Sequence, residues 1–501
     1  MANASLKNKL DKLKDDGFFD NLVIKRGVEK EFFRVNKNGY ISKKSHPESL
    51  GSALTNRYIT TDFAEAQVEL VTPVFEDVNA LYDFLYSLHV FVAQNIDKNE
   101  MLWPFSMPPK IKKESDINLG FYHQSNIGLL KHVYRRGLKV RYGPTMQCVS
   151  GMHYNFSIKP SSLSIFNGSS DQKNIDSAYL GLIRNFKRLF WFVLSEFGQT
   201  NIVDKSFIKN REHILKELNE EDMYLKNATS LRMSEIGYQS KAQKDLGIKY
   251  NSLSGFLEKI KNAITVPYPE FEKKELKDHE GNYHQISNGI IQIENEYYDS
   301  IRPKRSSTDN MRPYDLLKNF GIEYVEVRGI DISPHDLTGM SIHQMHFLDL
   351  ILLYCLIKPS PEISVEEKNE IDSNDYKAIY KGRDEGIEIL IDGVETNIRS
   401  AKNKIIKDLK LLAGYLKESD LIHESIEIVL NCKKGIISDD SFHNTGLEKA
   451  KSNIKDLRSD STKDIDSIKK EAELSLDELN KIQRNSKEEM DEYVKNYNLS
   501  L

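Results

Sequence analysis

Hydrophobic and polar positions alternate with two different periods along the first two-thirds of the chain. Five segments rich in β-branched and aromatic residues have the pattern of strands: 22–35, 64–72, 145–158, 288–297 and 321–331. Three others repeat apolar residues at steps of three and four, which predicts helices over 78–95, 178–197 and 340–357. Because single helices do not regularly separate the strands, this order predicts an α+β fold around a mixed, largely antiparallel sheet.

The pattern changes after the segment 358–364. From there to the C-terminus the chain has the spacing of helices with few aromatic residues, and from about residue 440 it is densely charged. We therefore predict a core over 1–360 and a helical C-terminal region over 361–501, packed on the core as one integrated unit. The charged end fits a solvated helical appendage best. A partner-binding coiled coil is the alternative, although its apolar heptads are broken.

The segment RGVEKEFFRV (26–35) puts two carboxylates on the same strand face as apolar residues. Glu29 and Glu31 alternate in step with Phe33 and Val35, so all four side chains point the same way, with the carboxylates roughly 7 Å apart. Other predicted strands also gather polar residues: Asp62, Glu65 and Glu69; Gln147, Gly151, His153, Asn155 and Ser157; Gln292, Glu294 and Glu296; Glu326 and Arg328. A sheet with one solvent-exposed face would explain the polar residues of any single strand.

Taken together, these residue types indicate a cation site rather than a solvated face. Clustered carboxylates repel one another unless a cation lies among them, and hard oxygen ligands with one imidazole suit Mg²⁺ or Mn²⁺ better than zinc. Thiolates are not available for zinc, because Cys148, Cys355 and Cys432 are far apart in sequence. The same spacing argues against a disulfide framework and fits a reducing cytoplasm.

Charge and hydropathy argue against several other classes of function. The 70 basic and 75 acidic residues nearly balance, so we expect neither nucleic acid nor an anionic membrane as a partner. The polar N-terminal segment has no apolar stretch typical of a secretory signal, and the apolar runs are too short to span a bilayer. There is also no G-x-S-x-G motif or cysteine signature for acyl-enzyme chemistry.

The basic segment SIRPKRSS (300–307) is the candidate for polyphosphate binding. Neither GxxxxGK[ST] nor a strand followed by GxGxxG is present, so the usual nucleotide loops are missing. Guanidinium groups make forked contacts with phosphate, which Arg302 and Arg305 could supply beside Lys304. Alone, the segment would be a surface loop; beside a carboxylate face, it favours nucleotide binding.

A second candidate metal group lies on the helix predicted over 340–357. His343, His346 and Asp349 are spaced at three-residue steps, so they share a helix face. A capping or partly exposed helix face explains them more simply than a metal.

Seven long blocks carry a family resemblance: GVEKEFFRVNKNGYIS, GSALTNRYITTDFAEAQVELVTPV, MLWPFSMP, GLKVRYGPTMQCVSGMHYNFS, ATSLRMSEIGY, QIENEYYDSIRPKR and GIEYVEVRGIDISP. In order and spacing they resemble the glutamate–cysteine ligases, also called γ-glutamylcysteine synthetases, of the single-chain γ-proteobacterial type. The resemblance runs from about residue 20 to about residue 358 and makes this part a catalytic core. It implies a fold like the catalytic domain of glutamine synthetase, with a curved, mainly antiparallel sheet forming a funnel-shaped active site and helices outside.

The resemblance also implies a reaction. ATP would phosphorylate the γ-carboxylate of L-glutamate, and the amine of L-cysteine would displace phosphate to give γ-glutamylcysteine, the first step of glutathione synthesis. A carboxylate is a poor acyl electrophile, so activation as an acyl phosphate is chemically required, and divalent cations would neutralise the polyphosphate. By resemblance, the ligands of two or three Mg²⁺ ions, or of Mn²⁺, are Glu29, Glu31, Asp62, Glu69, His153 and Glu326.

Further roles follow from the same resemblance. Arg328, beside Glu326, would stabilise the transferring phosphoryl group as a catalytic residue. The implied nucleotide contacts are Arg302, Lys304 and Arg305 together with Arg328. The implied substrate contacts are Gln147 and Asn155 for glutamate, Arg232, Tyr238 and Tyr298 for the acceptor carboxylate, and Phe63, Tyr134 and Leu138 for the pocket of the cysteine thiol.

The chain departs from the family pattern in places. Lys30 and Phe32 stand where the family usually has Arg and Thr, but both lie on the opposite strand face from the carboxylates, so we expect the metal site to be unaffected. Nothing resembles the second ligase module that some relatives carry, so the second step of glutathione synthesis is expected from another protein.

Two other functions remain open at this point. A ligase with the same apparatus could use ammonia, a polyamine or an unusual amino acid as acceptor. A scaffold of this kind could also be a non-catalytic sensor of ATP or glutathione. The resemblance favours a monomer, and the sequence does not decide whether glutathione feeds back on the enzyme or which divalent cation it uses.

Overall fold

The strands form one large sheet and two small ones. The computed structural model describes residues 2–237, 240–306, 311–435, 440–485 and 489–501. In chain order the strands are β1 (Ile24–Asn36), β2 (Ile59–Thr61), β3 (Gln67–Val71), β4 (Glu100–Leu102), β5 (Met152–Ile158), β6 (Ile202–Asp204), β7 (Lys216–Glu217), β8 (Asp222–Tyr224), β9 (Ile301–Lys304), β10 (Tyr324–Ile330), β11 (Glu388–Ile391) and β12 (Val394–Asn397).

The large sheet is seven-stranded and has the order β2-β3-β1-β5-β10-β9, with β4 pairing with β1 off this path. Its paired strands are antiparallel, as the sequence predicted. The small sheets are the hairpin β11-β12 and the three strands β6-β8-β7.

Helices surround the sheet and continue to the C-terminus. In chain order they are α1 (Ala2–Asp15), α2 (Val78–Asn95), α3 (Asn126–Tyr142), α4 (Pro160–Asn167), α5 (Gln172–Phe197), α6 (Lys241–Lys244), α7 (Leu253–Thr265), α8 (Pro269–Glu272), α9 (Pro313–Phe320), α10 (Ile342–Ile357), α11 (Val365–Lys381), α12 (Ile398–Ala413), α13 (Ser419–Asn431), α14 (Phe442–Ser459), α15 (Asp466–Asn485) and α16 (Met490–Leu499). The helices predicted over 78–95, 178–197 and 340–357 correspond to α2, α5 and α10.

One face of the large sheet packs on α2, α5 and α10. The side chains of Phe32, Tyr154 and Val327 on this face are almost completely buried. Lys30 lies on the same face, where its Nζ is 2.8 Å from His89 Nε2 and donates to the carbonyl of Leu337. This confirms that Lys30 and Phe32 point away from the carboxylate face of β1.

Two of the predicted strands are wrong in whole or in part. In the segment 145–158, a 3₁₀ turn covers Thr145–Cys148 and only Met152–Ile158 is a strand. The segment 288–297 contains a 3₁₀ turn at Glu294–Glu296 instead of a strand. The residues before the turn bond to the backbone at the end of α7, and the guanidinium of Arg302 donates to three carbonyls of the turn itself.

Strand β9 lies at the edge of the sheet and was not predicted as a strand. At its two ends, the carbonyls of Ser300 and Lys304 accept from the amides of Arg328 and Glu323. Pro303 falls between them, at a position that needs no ladder hydrogen bond. Proline is tolerated at such outward positions of an edge strand.

The C-terminal region contributes to the core of the protein. Leu409 in α12, Ile426 in α13, Phe442 in α14 and Ala472 in α15 belong to the same buried apolar cluster as the sheet residues. We therefore propose that residues 361–501 fold together with residues 1–360. Among the described residues, no helix has the length and apolar character needed to cross a membrane.

The hairpin β11-β12 corrects the prediction that this region is helical throughout. Asp392 and Gly393 occupy its turn with positive φ angles of 54° and 75°. A two-residue Asp-Gly turn with both φ values positive is the preferred connection of a tight β-hairpin. The dipeptide was therefore a usable signal in the sequence.

The contact between Gly446 of α14 and Trp103 tests the single-unit proposal. A Cβ at Gly446 would lie 2.2 Å from Trp103 Cη2, and the indole is buried. Replacing glycine by alanine normally stabilises a helix by up to ~1 kcal/mol. Overpacking a buried site destabilises the folded protein by about 1–3 kcal/mol. We expect Gly446→Ala to lower the free energy of unfolding by about 1–2 kcal/mol in urea titrations followed by circular dichroism.

Gly414→Ala is the matched control. Gly414 has a φ of −64°, and its added Cβ would meet the carbonyl of Leu411 at an ordinary 3.5 Å. The free energy of unfolding of the Gly414→Ala variant should equal that of the wild type or be slightly higher. Two separate unfolding transitions in the wild-type protein would contradict the single unit.

A buried carboxyl in α11 gives a pH-dependent prediction. Asp375 Oδ1 is buried and has no hydrogen-bond partner in the described ranges, and burial, opposed by Lys187, raises the pKa of Asp375 to about 8. Between about pH 4 and about pH 8 the unfolded chain loses this proton and the folded chain keeps it, so the stability contributed by Asp375 falls as pH rises. Asp375→Asn should gain stability over the wild type across this interval and level off above it. Melting temperatures over this pH range check the prediction, and a pH-independent difference would refute it.

Candidate active site

A cavity of about 260 Å³ opens on the face of the large sheet away from α5 and α10. Strands β1, β3, β5, β9 and β10 supply its floor, and α3 with the 286–298 segment supplies its walls. The predicted site residues that line it are Glu29, Glu31, Asp62, Phe63, Glu69, Tyr134, Leu138, Gln147, His153, Tyr298, Arg302, Lys304, Glu326 and Arg328. Glu29, Glu31, His153, Glu326 and Arg328, which strand alternation predicted on polar faces, thus do line one cavity. The residues predicted from the segment 288–297 do not, because Glu294 pairs with Arg312 and Glu296 with Arg141.

A carboxylate–imidazole cluster lies at one end of the floor. Antiparallel register puts Glu29 opposite His153 and Glu31 opposite Glu69. Glu29, Glu69 and His153 offer ligand atoms that all lie within 4.8 Å of one another. Glu31 completes the cluster, with its Oε1 3.6 Å from His153 Nε2. Strands β1, β3 and β5 thus each contribute a side chain with a possible metal-ligating atom to the same cluster.

The protonation of these carboxyl groups reflects their mutual repulsion. Burial and the charges of Asp62 and Glu69 raise the pKa of Glu31 well above its ordinary range. Burial with Asp62 and Glu29 likewise raises the pKa of Glu69 to about 8. Burial acts to raise the pKa of Glu29, but the hydrogen bond and charge of His153, together with the charge of Lys304, outweigh burial and lower that pKa. Full ionisation of these carboxyl groups would therefore place more negative charge here than the neighbouring residues neutralise.

The donor set of the cluster fits a hard divalent cation. Several carboxylate oxygens and one imidazole match the ligands that Mg²⁺ and Mn²⁺ accept, and none of the described residues that line the cavity is a cysteine. Two neighbours also fix the carboxylates in place: Asn155 Nδ2 donates to Glu29 Oε1 at 3.0 Å, and the amide of Gly151 donates to Glu31 Oε2 at 2.9 Å. Oriented carboxylates of this kind are typical of metal sites.

A cationic group gathers around Glu326 at the other end of the floor. Arg302 donates twice to Glu326 Oε2, at 3.0 and 2.7 Å, and Arg328 donates to the same oxygen at 3.2 Å. Lys304 Nζ is 3.4 Å from Oε1. Although burial opposes them, these cations hold the pKa of Glu326 well below its usual range. Three cations around one carboxylate leave a net positive charge, which can attract a phosphate group.

Helix α3 forms the wall beside the carboxylate cluster. Tyr134 and Leu138 reach the cavity from it, and so do Lys131 and Arg135, which the sequence analysis missed. The four positions follow the i, i+3, i+4, i+7 spacing of a single helix face, so the spacing could have revealed them. Arg135 Nη2 donates to the carbonyl of Thr61 at 3.1 Å and fixes the helix to β2. Burial, with Arg135 beside it, lowers the pKa of Lys131 to about 8.

Some predicted residues lie beside the cavity rather than on its surface. Asn155 contacts Glu29, as described above. Arg232 is buried, with its Nε donating to Asp331 Oδ1 at 2.9 Å and its Nη2 donating to the carbonyl of Ile330 at 2.7 Å. Arg305 bonds to the carbonyls of Phe320 and Gly321 at the end of α9. The predicted Tyr238 lies outside the described residues.

The second candidate metal group is not assembled as one. His343 Nδ1 lies 3.0 Å from Ser425 Oγ in α13. Asp349 accepts hydrogen bonds from Arg26 at 2.5 Å and from the hydroxyl of Tyr154 at 2.8 Å. These side chains connect α10 to its neighbours, in agreement with the simpler interpretation.

Comparison with known proteins places the chain in a family. The family model described as glutamate-cysteine ligase matches residues 10–378. The chain belongs to the glutamate–cysteine ligase family. The protein is therefore a ligase of this type, and the formation of γ-glutamylcysteine in glutathione synthesis, implied by the sequence blocks, is confirmed at this level.

Individual relatives support the family membership. The glutamate–cysteine ligase of Pseudomonas entomophila is 41% identical over 396 residues, covering 78% of this chain and 74% of the relative. That of Serratia proteamaculans is 42% identical over 402 residues, covering 78% and 77%.

Solved structures resemble the ligase over almost its whole length. The glutamate–cysteine ligase of Francisella tularensis, solved in complex with AMP, superposes with a TM-score of 0.89 at 29% identity, over 96% of this chain and 98% of that one. A bifunctional glutathione synthetase from Pasteurella multocida has a TM-score of 0.60 at 20% identity, over 95% of this chain and 53% of that one. The second likeness concerns the fold alone.

The hydrogen bond from Asn155 to Glu29 gives a prediction about cation binding. Removing a residue that orients a metal ligand typically costs about 10–100-fold in metal affinity. We expect Asn155→Ala to weaken Mn²⁺ binding about tenfold in titrations followed by electron paramagnetic resonance. Ser157→Ala, two positions further along the same strand face, is the control and should bind Mn²⁺ like the wild type. Equal affinity in both variants would show that Asn155 does not support a cation site.

Proposed function

We propose that this ligase uses ATP to phosphorylate the γ-carboxylate of L-glutamate and then transfers the γ-glutamyl group to the amine of L-cysteine. The products are γ-glutamylcysteine, ADP and phosphate. The observation that carries the proposal is the meeting, in one cavity, of a carboxylate–imidazole cluster with the cations around Glu326. An acyl phosphate is needed because a carboxylate does not react directly with an amine. Both groups serve the transfer of a phosphoryl group between two anions.

The carboxylate–imidazole cluster would hold the cations of the reaction. Glu29, Glu69 and His153 form its centre, with Glu31, Asp62 and Glu326 as the further ligands of two or three Mg²⁺ or Mn²⁺ ions. Bound there, the cations would neutralise the charges of the polyphosphate and of the glutamate carboxylate. His153 uses Nδ1 toward Glu29, which orients its other nitrogen toward Glu31.

The cationic group would bind the phosphates of ATP. Arg328 and Lys304 both line the cavity and both contact Glu326, so they are held in place before a nucleotide arrives. Preorganised cations lower the barrier most when they face the atoms that gain charge in the transition state. We assign Arg328 to the transferring phosphoryl group and Arg302 with Lys304 to the remaining phosphates. Arg305 contributes only if it releases the end of α9.

An apolar pocket next to these cations would receive the adenine. Its lining residues continue from Arg302 and Lys304 to Pro303 of β9, to Phe256 and Ile260 of α7, and to Tyr314 and Leu317 of α9. The AMP complex of the Francisella tularensis relative supports a nucleotide site in this fold. The pocket has a volume of only about 30 Å³ in this structure, so α7 or α9 would have to move to admit the base.

The substrate amino acids would bind between the two ends of the floor. Gln147 is held by a hydrogen bond from the hydroxyl of Tyr298 at 2.9 Å, and we assign it to glutamate together with Asn155. The acceptor side chain would enter between Phe63, Tyr134 and Leu138. An apolar pocket distinguishes only ~1–3 kcal/mol per methylene, so small analogues of cysteine should also react.

The acceptor's own carboxylate would be held by the hydroxyls of Tyr298 and Tyr238. Arg232 would contribute only if its guanidinium turned from Asp331 toward the cavity. The wall from α3 adds Lys131 and Arg135, which disfavours a cationic polyamine as acceptor. We further propose that the sheet is curved into the funnel known from glutamine synthetase, with this cavity at its centre.

The first experiment is ATP turnover, followed as ADP release, with Mg²⁺, L-glutamate and one acceptor at a time. We expect turnover with L-cysteine and L-2-aminobutyrate but not with ammonia or putrescine. Chelation of the cation should abolish it. Glu29→Gln removes a central ligand charge and should lower kcat by at least about 10²-fold, the scale seen when one electrostatic contact of a transition state is lost.

A control variant and two other outcomes complete the test. Glu388→Gln changes an exposed carboxylate on β11 and should behave like the wild type. Turnover only with ammonia or putrescine would keep the ATP chemistry and overturn the assigned acceptor pocket. ATP binding without turnover on any acceptor would favour the non-catalytic sensor.

A further inference from the structure

The C-terminal helix α16 packs against the walls of the cavity. It lies beyond residue 378, where the match to the family model ends. Val494 joins Leu130, Val133 and Ile286 in a small buried cluster that is separate from the main core. Tyr134 and Ile293, both of which line the cavity, pack against this cluster from the other side. The helix thus supports two walls that the ligase uses.

A chain of polar contacts leads from the same helix to the floor of the cavity. The guanidinium of Arg312 lies 4.0 Å from the ring centroid of Tyr497 and donates to the backbone carbonyl of Tyr497 at 2.6 Å. Arg312 also donates twice to the carboxylate of Glu294, through Nε and Nη2, each at 3.0 Å. Forked contacts of this kind fix the orientation of both partners.

The chain continues through the backbone of the 294–297 turn. Arg302 Nη1 donates to the carbonyls of Glu294, Asn295 and Tyr297 at 3.4, 3.3 and 3.1 Å. The other nitrogens of Arg302 donate to Glu326. Arg302 therefore depends on the position of a turn that is itself held by Arg312 and α16.

We propose that α16 is a positioning element of the active site, acting through Arg312 and Glu294 on Arg302. Neither Arg312 nor Tyr497 is among the described residues that line the cavity; they hold the turn that aims Arg302 at the nucleotide. The inference rests on the proposed function, because it gives Arg302 an ATP phosphate to bind. It also gives a role to the charged end of the chain, which the sequence analysis interpreted as an appendage.

The burial of the Arg312–Glu294 pair supports a positioning role. Both side chains are more than nine-tenths buried. A buried ion pair adds little net stability, because desolvation offsets most of the attraction, but it strongly restricts geometry. The four-residue cluster around Val494 is also small. The contacts of α16 are therefore better suited to orienting the turn than to stabilising the fold.

The test compares Tyr497→Ala with Tyr497→Phe in the full-length chain. The phenylalanine variant keeps the ring over Arg312 and the backbone carbonyl, whereas the alanine variant removes the ring. We expect Tyr497→Ala to raise the KM for ATP about tenfold, and the Kd of ATP measured by calorimetry with Mg²⁺ in parallel, while kcat and the melting temperature change little. Tyr497→Phe should keep the wild-type values.

A purely structural role predicts a different result. Partial unfolding removes active enzyme, so kcat would fall with the melting temperature while the KM for ATP stayed constant. That result, or equal KM values in the alanine and phenylalanine variants, would overturn the inference.

Arg312→Lys is a second variant that keeps the charge and loses the forked contact. It should raise the KM for ATP in the same direction as Tyr497→Ala, so the proposal stays testable if the alanine variant does not fold. Wild-type KM in this variant would overturn the inference.

The wild-type protein separates this inference from the proposed function. If the wild type ligates glutamate and cysteine with ATP and the variants keep its KM, only the inference fails. If the wild type binds no ATP, the proposed function fails and the inference fails with it.

Discussion

The register between β1 and its two neighbours fixes the geometry on which the site depends. Glu29 faces His153 across one pair of strands, and Glu31 faces Glu69 across the other. A shift of one residue would turn the carboxylates toward α2 and α10 and bring Lys30 into the cavity, because side chains alternate along a strand. The apolar residues on the helix side, such as Phe32, resist this shift because they would become exposed to solvent. The hydrophobic core thereby maintains an arrangement of charges that repel one another.

The two ends of the cavity floor carry charges of opposite sign and therefore suit different ligands. At one end, carboxylates with raised pKa values need a cation; at the other, three cations share the single carboxylate of Glu326. The antiparallel pairings of β1, β5, β10 and β9 connect the two groups, with one irregularity in β10 between Val327 and Ile330. A reaction that transfers a phosphoryl group requires such neighbouring regions of opposite charge, because its substrates are anions and its cofactors are cations.

Much of this arrangement could be predicted from the sequence, and the failures have physical reasons. The alternation around Glu29 gave the correct face because β-strand geometry is local. Lys131 and Arg135 were accessible through helical spacing but were not used. The turn at 294–297 could not be predicted, because its carbonyls accept hydrogen bonds from the side chain of Arg302. Periodicity of hydrophobic and polar residues does not reveal a contact of this kind. The role of α16 was hidden for the same reason, since Tyr497 and Arg312 are distant in sequence.

Strand β9 ends the large sheet and carries a basic face. Its outer backbone positions are not free: the carbonyl of Ile301 accepts a hydrogen bond from the hydroxyl of Tyr250 at 3.1 Å, and Pro303 is buried and has no amide hydrogen. An unprotected edge strand is a template for pairing with another chain. Covering this edge guards the sheet against aggregation, while the cations of β9 stay turned toward the cavity.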